Sequence, residues 1–273
     1  MAAPVDLWAS HFGLSATPFT KAVPAAKLFE RDAHAEAVAR IRYCINEAAL
    51  AVIVGDTGAG KTVALRAAVA GLDRTRYSVI YLANPSGGCR GIYVAIATAL
   101  GATPRFHKAE AINQAAALLA AEEHERHRRV VLVIDEAHLL TPEQLEEIRL
   151  LSNAELDSAS PFAGILIGQP TLAVRLRQGV FSALDQRISV RYSLVGMDLA
   201  ESISYLRHHL AICGRSDPLI ADDAAGRLHR YANGLPRALN NAATAALMAA
   251  AADGKPLVDD VCAKKAIAEL TRT

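Results

Sequence analysis

The chain has 273 residues, long enough for one large domain or two of ordinary size at roughly 100 to 150 residues each. Hydrophobic residues make up 52% and charged residues 21%, which excludes both a disordered chain and a membrane bundle. Lys plus Arg number 29 against 28 for Asp plus Glu, a net charge of +1; there is no global field toward nucleic acid, and any such partner must meet a local patch.

Residues 1–30 mix Pro, Gly, Phe and Thr without a period, as a lead-in arm would. Asp6 stands where an export signal would carry basic residues, and the most apolar stretch, Ala242 to Ala252, is shorter than the roughly 20 residues of a membrane span. The expectation is a cytoplasmic chain with no integral membrane segment. Cys44, Cys89, Cys213 and Cys262 are far apart and form no C-x-x-C pair, so buried free thiols are expected rather than a zinc site or a disulfide framework.

From Asp32 the pattern turns helical, with Val38, Ile41, Ile45 and Ala48 on one face and Asp32 placed to cap the first turn. Leu50 to Val54 is apolar without alternation, the signature of a strand buried on both faces of a parallel sheet. Lys61 to Leu72 is helical again. The same exchange recurs through strand-like Val79 to Ala83, Val130 to Ile134 and Gly164 to Ile167, with helical Ile92 to Leu100, Ala111 to Glu122 and Pro142 to Leu151 between them. Thr141-Pro-Glu-Gln144 fits a capping box with Pro at the first helical position. Ile188 to Leu194 is a fifth strand. Strands separated by helices predict crossover connections and a parallel α/β sheet. After Gly196 only helical segments remain: Asp198 to Cys213, Ala221 to Ala232, Pro236 to Ala252 and Val258 to Leu270. The expected organisation is an arm at 1–30, an α/β domain at 31–196 and a small helical domain at 197–273.

The strongest chemical signal is Gly55-Asp-Thr-Gly-Ala-Gly-Lys61-Thr62, a complete G-x-x-x-x-G-K-[ST] set between a predicted strand and a predicted helix. A phosphate chain must be surrounded by backbone N–H groups, and glycines allow that approach because no Cβ intervenes. Gly55, Thr57, Gly58, Ala59, Gly60, Lys61, Thr62 and Val63 form the expected phosphate-binding set. The helix N-terminus adds free amides, Lys61 reaches the β and γ phosphates, and the Thr62 hydroxyl takes a place on Mg²⁺. The second signal is Val130-Val-Leu-Val-Ile-Asp135-Glu136, an apolar strand ending in adjacent carboxylates at the edge where open α/β sheets bind ligands. Asp135 is the expected Mg²⁺ partner, and Glu136 the residue that orients a water for attack on the γ phosphate. Together the two signals read as nucleoside triphosphate hydrolysis. Asp135-Glu136-Ala137-His138 also spells the label of a helicase class, but the chain has one phosphate loop and no second motor, and His138 reads as a helix-start or core histidine.

These motifs, together with Phe12-Gly-Leu, Pro18-Phe19, Asn84-Pro85, Leu150-Leu-Ser-Asn153, Ile167-Gly-Gln-Pro-Thr-Leu172, Gln186-Arg187-Ile188 and Gly234-Leu-Pro-Arg237, resemble the AAA+ ATPases, and within them the ExeA-type group of the general (type II) secretion pathway. The likeness extends to DNA-transposition accessory ATPases. It implies a P-loop AAA+ domain with a five-stranded parallel sheet and a helical lid, with ATP and Mg²⁺ as cofactors. Gln169 is similar to the sensor that reads the γ phosphate, with Asn153 as an alternative. Asn84 resembles the polar residue that restrains the catalytic glutamate, Arg187 the finger supplied to a neighbouring subunit, with Arg191 as an alternative, and Arg237 the second sensor in the lid. The family position expected to hold Gln is His138 here.

The resemblance implies a homo-oligomer, ring or filament, in the nucleotide-bound state. Two settings share this chemistry. One is an accessory ATPase that assembles on duplex DNA and recruits a transposase, the preferred expectation because full-length secretion members are expected to continue into a membrane segment and a cell-wall-binding domain. The other is a cytoplasmic ATPase that works with secretion-system proteins. For DNA contact the expected local set is Arg90, Arg105 and Lys108. An intact Glu136 argues against a nucleotide switch that does not hydrolyse.

Overall fold

The computed structural model describes residues 7–20, 27–153 and 160–272. Of the expected arm, 1–6 and 21–26 lie outside the described residues. The chain divides into two compact units, one of Ala33–Gly55 and Lys61–Leu194, the other of Met1–Asp32, Asp56–Gly60 and Val195–Thr273.

The first unit is a five-stranded sheet with helices on both faces. Its strands are β1 (Leu50–Gly55), β2 (Tyr77–Leu82), β3 (Arg129–Ile134), β4 (Phe162–Gly168) and β5 (Ile188–Leu194), in the order β2-β3-β4-β1-β5. Every pairing is parallel, as expected from the helical crossovers. β1 lies between β4 and β5 and is buried along its whole length. Its alternate residues serve opposite layers: Val52 and Val54 pack with Leu132, Ile134 and Leu166, while Ala51 and Ile53 pack with Val131, Val133 and Ile165.

The second of these layers is covered by Ile41 and Ile45 of α2 (Asp32–Asn46) and by Leu65 and Ala68 of α3 (Lys61–Val69). The other is covered by Ile92 and Ile96 of α4 (Gly88–Ala99), Leu119 of α5 (Lys108–His124), and Leu145 and Ile148 of α6 (Pro142–Leu151). Each fully buried Ile or Leu is worth about 1.5–3 kcal/mol of transfer free energy. The capping box at Thr141 is formed, with Gln144 N–H on the Thr141 hydroxyl and Thr141 N–H on the Gln144 carbonyl oxygen.

Several elements differ from the periodicity. α2 stops at Asn46, so Ala48 is not on its face but turns the chain into β1 with φ 49°. Asp32 is the first helical residue of α2 rather than its cap. α3 stops at Val69, short of Leu72. Two short helices, α7 (Pro170–Leu176) and α8 (Ser182–Arg187), fill the connection from β4 to β5, where no period was legible.

The second unit contains α9 (Leu199–Ala211), α10 (Asp222–Ala232), α11 (Pro236–Ala252) and α12 (Asp260–Arg272). Ala242, Ala243, Ala246 and Ala250 of α11 are completely buried, small enough for close helix packing around Leu228, Leu239 and Leu247. A short helix, α1 (Leu7–His11), precedes Phe12 and Leu14, which are buried in the same core. The N–H and hydroxyl of Ser15 both donate to the Cys213 carbonyl at 2.9 Å. Arg31 holds this segment to the start of α9, donating to the carbonyls of Val195 and Gly196 and pairing with Glu201 at 3.3 Å. Cys44, Cys213 and Cys262 are buried free thiols. Among the described residues no helix is long and apolar enough to cross a membrane.

Candidate nucleotide-binding site

The interior strand β1 delivers the glycine loop to the carboxyl edge of the sheet. Gly55 closes β1 where a Cβ would lie 2.5 Å from the Leu194 carbonyl oxygen, so β5 can pair this closely only with glycine there. The next turn needs two more: Gly58 has φ +88° and Gly60 φ +100°, conformations that cost a side-chain-bearing residue on the order of 1–3 kcal/mol. The Ala59 N–H closes the turn on the Asp56 carbonyl at 3.1 Å. Lys61 opens α3 and folds back, its Nζ donating to the Gly55 carbonyl at 2.7 Å. Thr62, one residue on, is exposed, and Val63 follows inside the same helical turn.

Asp135 follows β3 at the same edge. Its N–H donates to the Leu82 carbonyl of β2 at 2.9 Å, which extends the ladder one residue past the strand. Asp135 is 8% exposed, and its carboxylate accepts three donors: Glu136 N–H on Oδ1 at 2.9 Å, and the Thr62 hydroxyl at 3.3 Å and the Tyr81 hydroxyl at 2.7 Å on Oδ2. Burial first, and then the bond to Asp135, push the Tyr81 phenol up to about 12.

Glu136 has φ 51° and ψ 34°, the left-handed region that a side-chain-bearing residue rarely enters. That turn aims its carboxylate out of the strand direction, with its Oε2 3.4 Å from His138 Nδ1. Arg175 of α7 fixes the segment that follows, donating to the His138 carbonyl at 3.0 Å and the Leu140 carbonyl at 2.6 Å. Gly168 keeps this approach open, because a Cβ there would meet His138 N at 3.0 Å.

A phosphate loop on a helix N-terminus, with a hydroxyl and a buried carboxylate meeting beside it, is the P-loop arrangement. Residues 45–176 match the AAA domain family. Residues 45–176 form an AAA domain. The chain is 32% identical over 257 residues to the general secretion pathway protein A of Aeromonas hydrophila, a match that spans 91% of this chain and 46% of that protein, so the chain covers about half the length of this relative. Among solved structures it is similar to Cdc6p of Pyrobaculum aerophilum, 18% identical with a TM-score of 0.70 over 92% of this chain and 70% of that one. It is likewise similar to the Aeropyrum pernix ORC1 protein in complex with DNA, 16% identical with a TM-score of 0.65 over 92% and 68%. At these identities the likeness is one of fold.

The remaining candidates of the AAA+ domain are placed as follows. Gln169 caps α7 immediately after β4, and strand register puts it beside Gly55, since Gly168 pairs with Val54. Its side chain makes no cap bond. Asn84 is exposed, and its carboxamide oxygen accepts from Ser86 N–H at 3.0 Å in a local turn. Asn153 is exposed two residues past α6. Arg187 ends α8, whereas Arg191 on β5 is held by Asp185, at 2.9 Å to its carboxylate and 2.5 Å to its carbonyl. In the helical unit, which also holds Asp56–Gly60, Arg237 N–H donates to the Gly58 carbonyl at 3.3 Å. A Cβ on Gly58 would lie 2.6 Å from Arg237 Cβ.

Of the basic set, Arg90 donates to the Arg105 carbonyl at 2.8 Å and lies over the Phe106 ring, and Lys108 is paired with Glu147. Phe106 is 80% exposed. Sequence reasoning did not single out Tyr81 or Arg175. Tyr81 and Arg175 reach across strands and turns, and nothing local to them signals it. Gln144 was seen only as a cap residue, and its second set of bonds depends on the loop after β2.

Proposed function

We propose that this chain binds ATP with Mg²⁺ and hydrolyses it, and that nucleotide drives its assembly into oligomers. The observation that carries the reading is the meeting of Thr62 and Asp135 beside the Gly55–Lys61 loop. The residues suit the cofactors. Positive-φ glycines leave the loop amides uncovered for phosphate oxygens, and a hydroxyl with a buried carboxylate is a hard oxygen donor set of the kind Mg²⁺ takes with phosphates. Thr62 and Asp135 would hold the ion, whose chemistry is to neutralise charge on the transferring phosphoryl group.

The chain's own residues do the rest. Lys61, released from the Gly55 carbonyl, would reach the terminal phosphates. Glu136, turned off the strand by its left-handed backbone, would orient the attacking water and accept its proton. Gln169 sits at the edge position suited to a γ-phosphate sensor, and Asn84 and Arg237 would act on Glu136 and on the loop, the latter already through Gly58. We assign residues 31–196 the ATPase role and 197–273 that of a lid. The test is equilibrium binding and single-turnover hydrolysis of ATP. If the intact chain neither binds nor cleaves it, the reading falls.

Two settings for the work remain distinct in their support. The 32% identical relative supports action with secretion-system proteins. The other setting, assembly on duplex DNA with a transposase, has support only for its DNA contact, from the local basic pair Arg90 and Arg105 beside the exposed Phe106, cations that could meet backbone phosphates. ATPase rate measured with and without duplex DNA separates them. Stimulation that weakens steeply with salt favours DNA, and an unchanged rate favours the secretion setting.

A further inference from the structure

Tyr81 is an anomaly on β2. It is 49% exposed, so it is not there for burial, yet its hydroxyl makes a well-formed bond, 2.7 Å, to Oδ2 of the buried Asp135. Strand register pairs Tyr81 with Val133, two residues before Asp135, and Val133 packs in the layer that contains α3, the helix carrying Thr62. Tyr81 therefore approaches Asp135 from the sheet face that presents the phosphate-loop helix. The terminal torsion of an aspartate is broad and weakly two-fold, so a carboxylate anchored through only one oxygen can swivel. Here Oδ1 is anchored by the Glu136 N–H and Oδ2 by Tyr81 and Thr62. When Thr62 gives its hydroxyl to a cation, Tyr81 is the side-chain donor that stays on Oδ2.

We propose that Tyr81 is a positioning residue for the Mg²⁺ site, holding the Asp135 carboxylate in the orientation that receives the ion. This rests on the phosphate-loop reading above. Partners that orient a metal ligand commonly change metal affinity about 10- to 100-fold when removed. Removal of this hydroxyl should fall near the lower end, at about 10-fold, because the Glu136 N–H still anchors Oδ1.

The experiment uses the full chain, a fluorescent non-hydrolysable ATP analogue, and Tyr81→Phe. Analogue affinity is measured in EDTA, and Mg²⁺ is then titrated to find the concentration that gives half the Mg²⁺-dependent gain. In EDTA the variant should match the wild type within about 2-fold, and its Mg²⁺ midpoint should rise about 10-fold with no change in melting temperature. Tyr81→Leu, which removes the ring as well, should raise the midpoint at least as far. A midpoint equal to or below that of the wild type in Tyr81→Phe overturns the proposal while leaving nucleotide binding intact. An equal loss of affinity in EDTA also overturns it, because the role would then be structural. Absence of analogue binding by the wild type would overturn the phosphate-loop reading itself, and this proposal with it.

Discussion

The side-chain amide of Gln144 donates to the Pro85 carbonyl at 2.6 Å, joining two segments 59 residues apart. It also donates to the Gly88 carbonyl at 3.1 Å, while its own oxygen accepts from Thr141. Gln144 is 1% exposed, and its bonds tie the loop that carries Asn84 to the helix that follows Glu136. Gln144→Leu would leave two carbonyls and one N–H without this partner. The expected cost is about 1–3 kcal/mol, read as a lower denaturant midpoint. Gln144→Glu should be no better, since a carboxylate would face two carbonyl oxygens. Stability equal to the wild type in both variants would show that water replaces the bonds freely.

Lys61 and Glu136 should separate cleanly by experiment. Lys61→Ala removes the ammonium that folds back onto the Gly55 carbonyl, and ATP affinity should fall. Glu136→Gln keeps the size and the turn, so binding should persist while turnover drops by two orders of magnitude or more, roughly the range of general-base removal. Equilibrium binding combined with single-turnover hydrolysis distinguishes the two. Equal loss of binding in both would remove Glu136 from the role of water-orienting base.

Much of this was legible in advance, and the limits have physical causes. The three inner strands were readable because burial on both faces forces continuous apolar runs, as in Leu50–Gly55 and Phe162–Gly168. The capping box was readable because it is local, four residues from Thr141 to Gln144. Tyr81 was not, since its partner lies 54 residues away and is fixed by β2–β3 pairing. Neither was the left-handed turn at Glu136, for which no glycine gives notice. The segment 7–20 has too few residues to show a period, and its Phe12 and Leu14 find their core in helices near the other end of the chain.

Gly58→Ala tests the loop's backbone. At φ +88° the new Cβ is strained by itself and would also meet Arg237 Cβ at 2.6 Å. Left-handed strain costs on the order of 1–3 kcal/mol, and the loop must shift to relieve the contact. ATP affinity should fall about 10-fold or more, since 1.4 kcal/mol is a factor of ten, with the melting temperature lowered as well. Unaltered affinity would mean that the loop rearranges before it binds.

His209 gives the helical unit a pH dependence. Burial, and then the neighbouring charge of His208, lower its pKa to about 4 from an ordinary value of 6.5. It packs against the rings of Phe19 and Tyr205. Below pH 6.5 the unfolded chain takes up a proton that the folded chain refuses until about pH 4, so stability is full above 6.5 and declines as pH falls through that window. The slope from this group approaches about 1.4 kcal/mol per pH unit. Urea unfolding of the wild type and of His209→Gln between pH 7 and 5 should show the decline flattened in the variant. Parallel curves would assign it to other groups.

Arg187 is the residue proposed to act across a subunit boundary. It lies at the junction of α8 and β5, beside the start of β1, where Leu50 pairs with Ile188, whereas Lys61 follows the other end of β1. Arg191, the alternative, is bound through both its guanidinium contacts to Asp185. An arginine donated in trans stabilises charge on the transferring phosphoryl group and raises turnover about 10³-fold or more. Hydrolysis should therefore rise faster than linearly with protein concentration. Arg187→Ala and Lys61→Ala should each be inactive alone. Mixed, they can form a joint that pairs an intact loop with an intact arginine, and part of the activity should return. If mixed oligomers form and hydrolysis stays at background, Arg187 is not the finger; the same mixture made with Arg191→Ala then decides whether Arg191 takes that role.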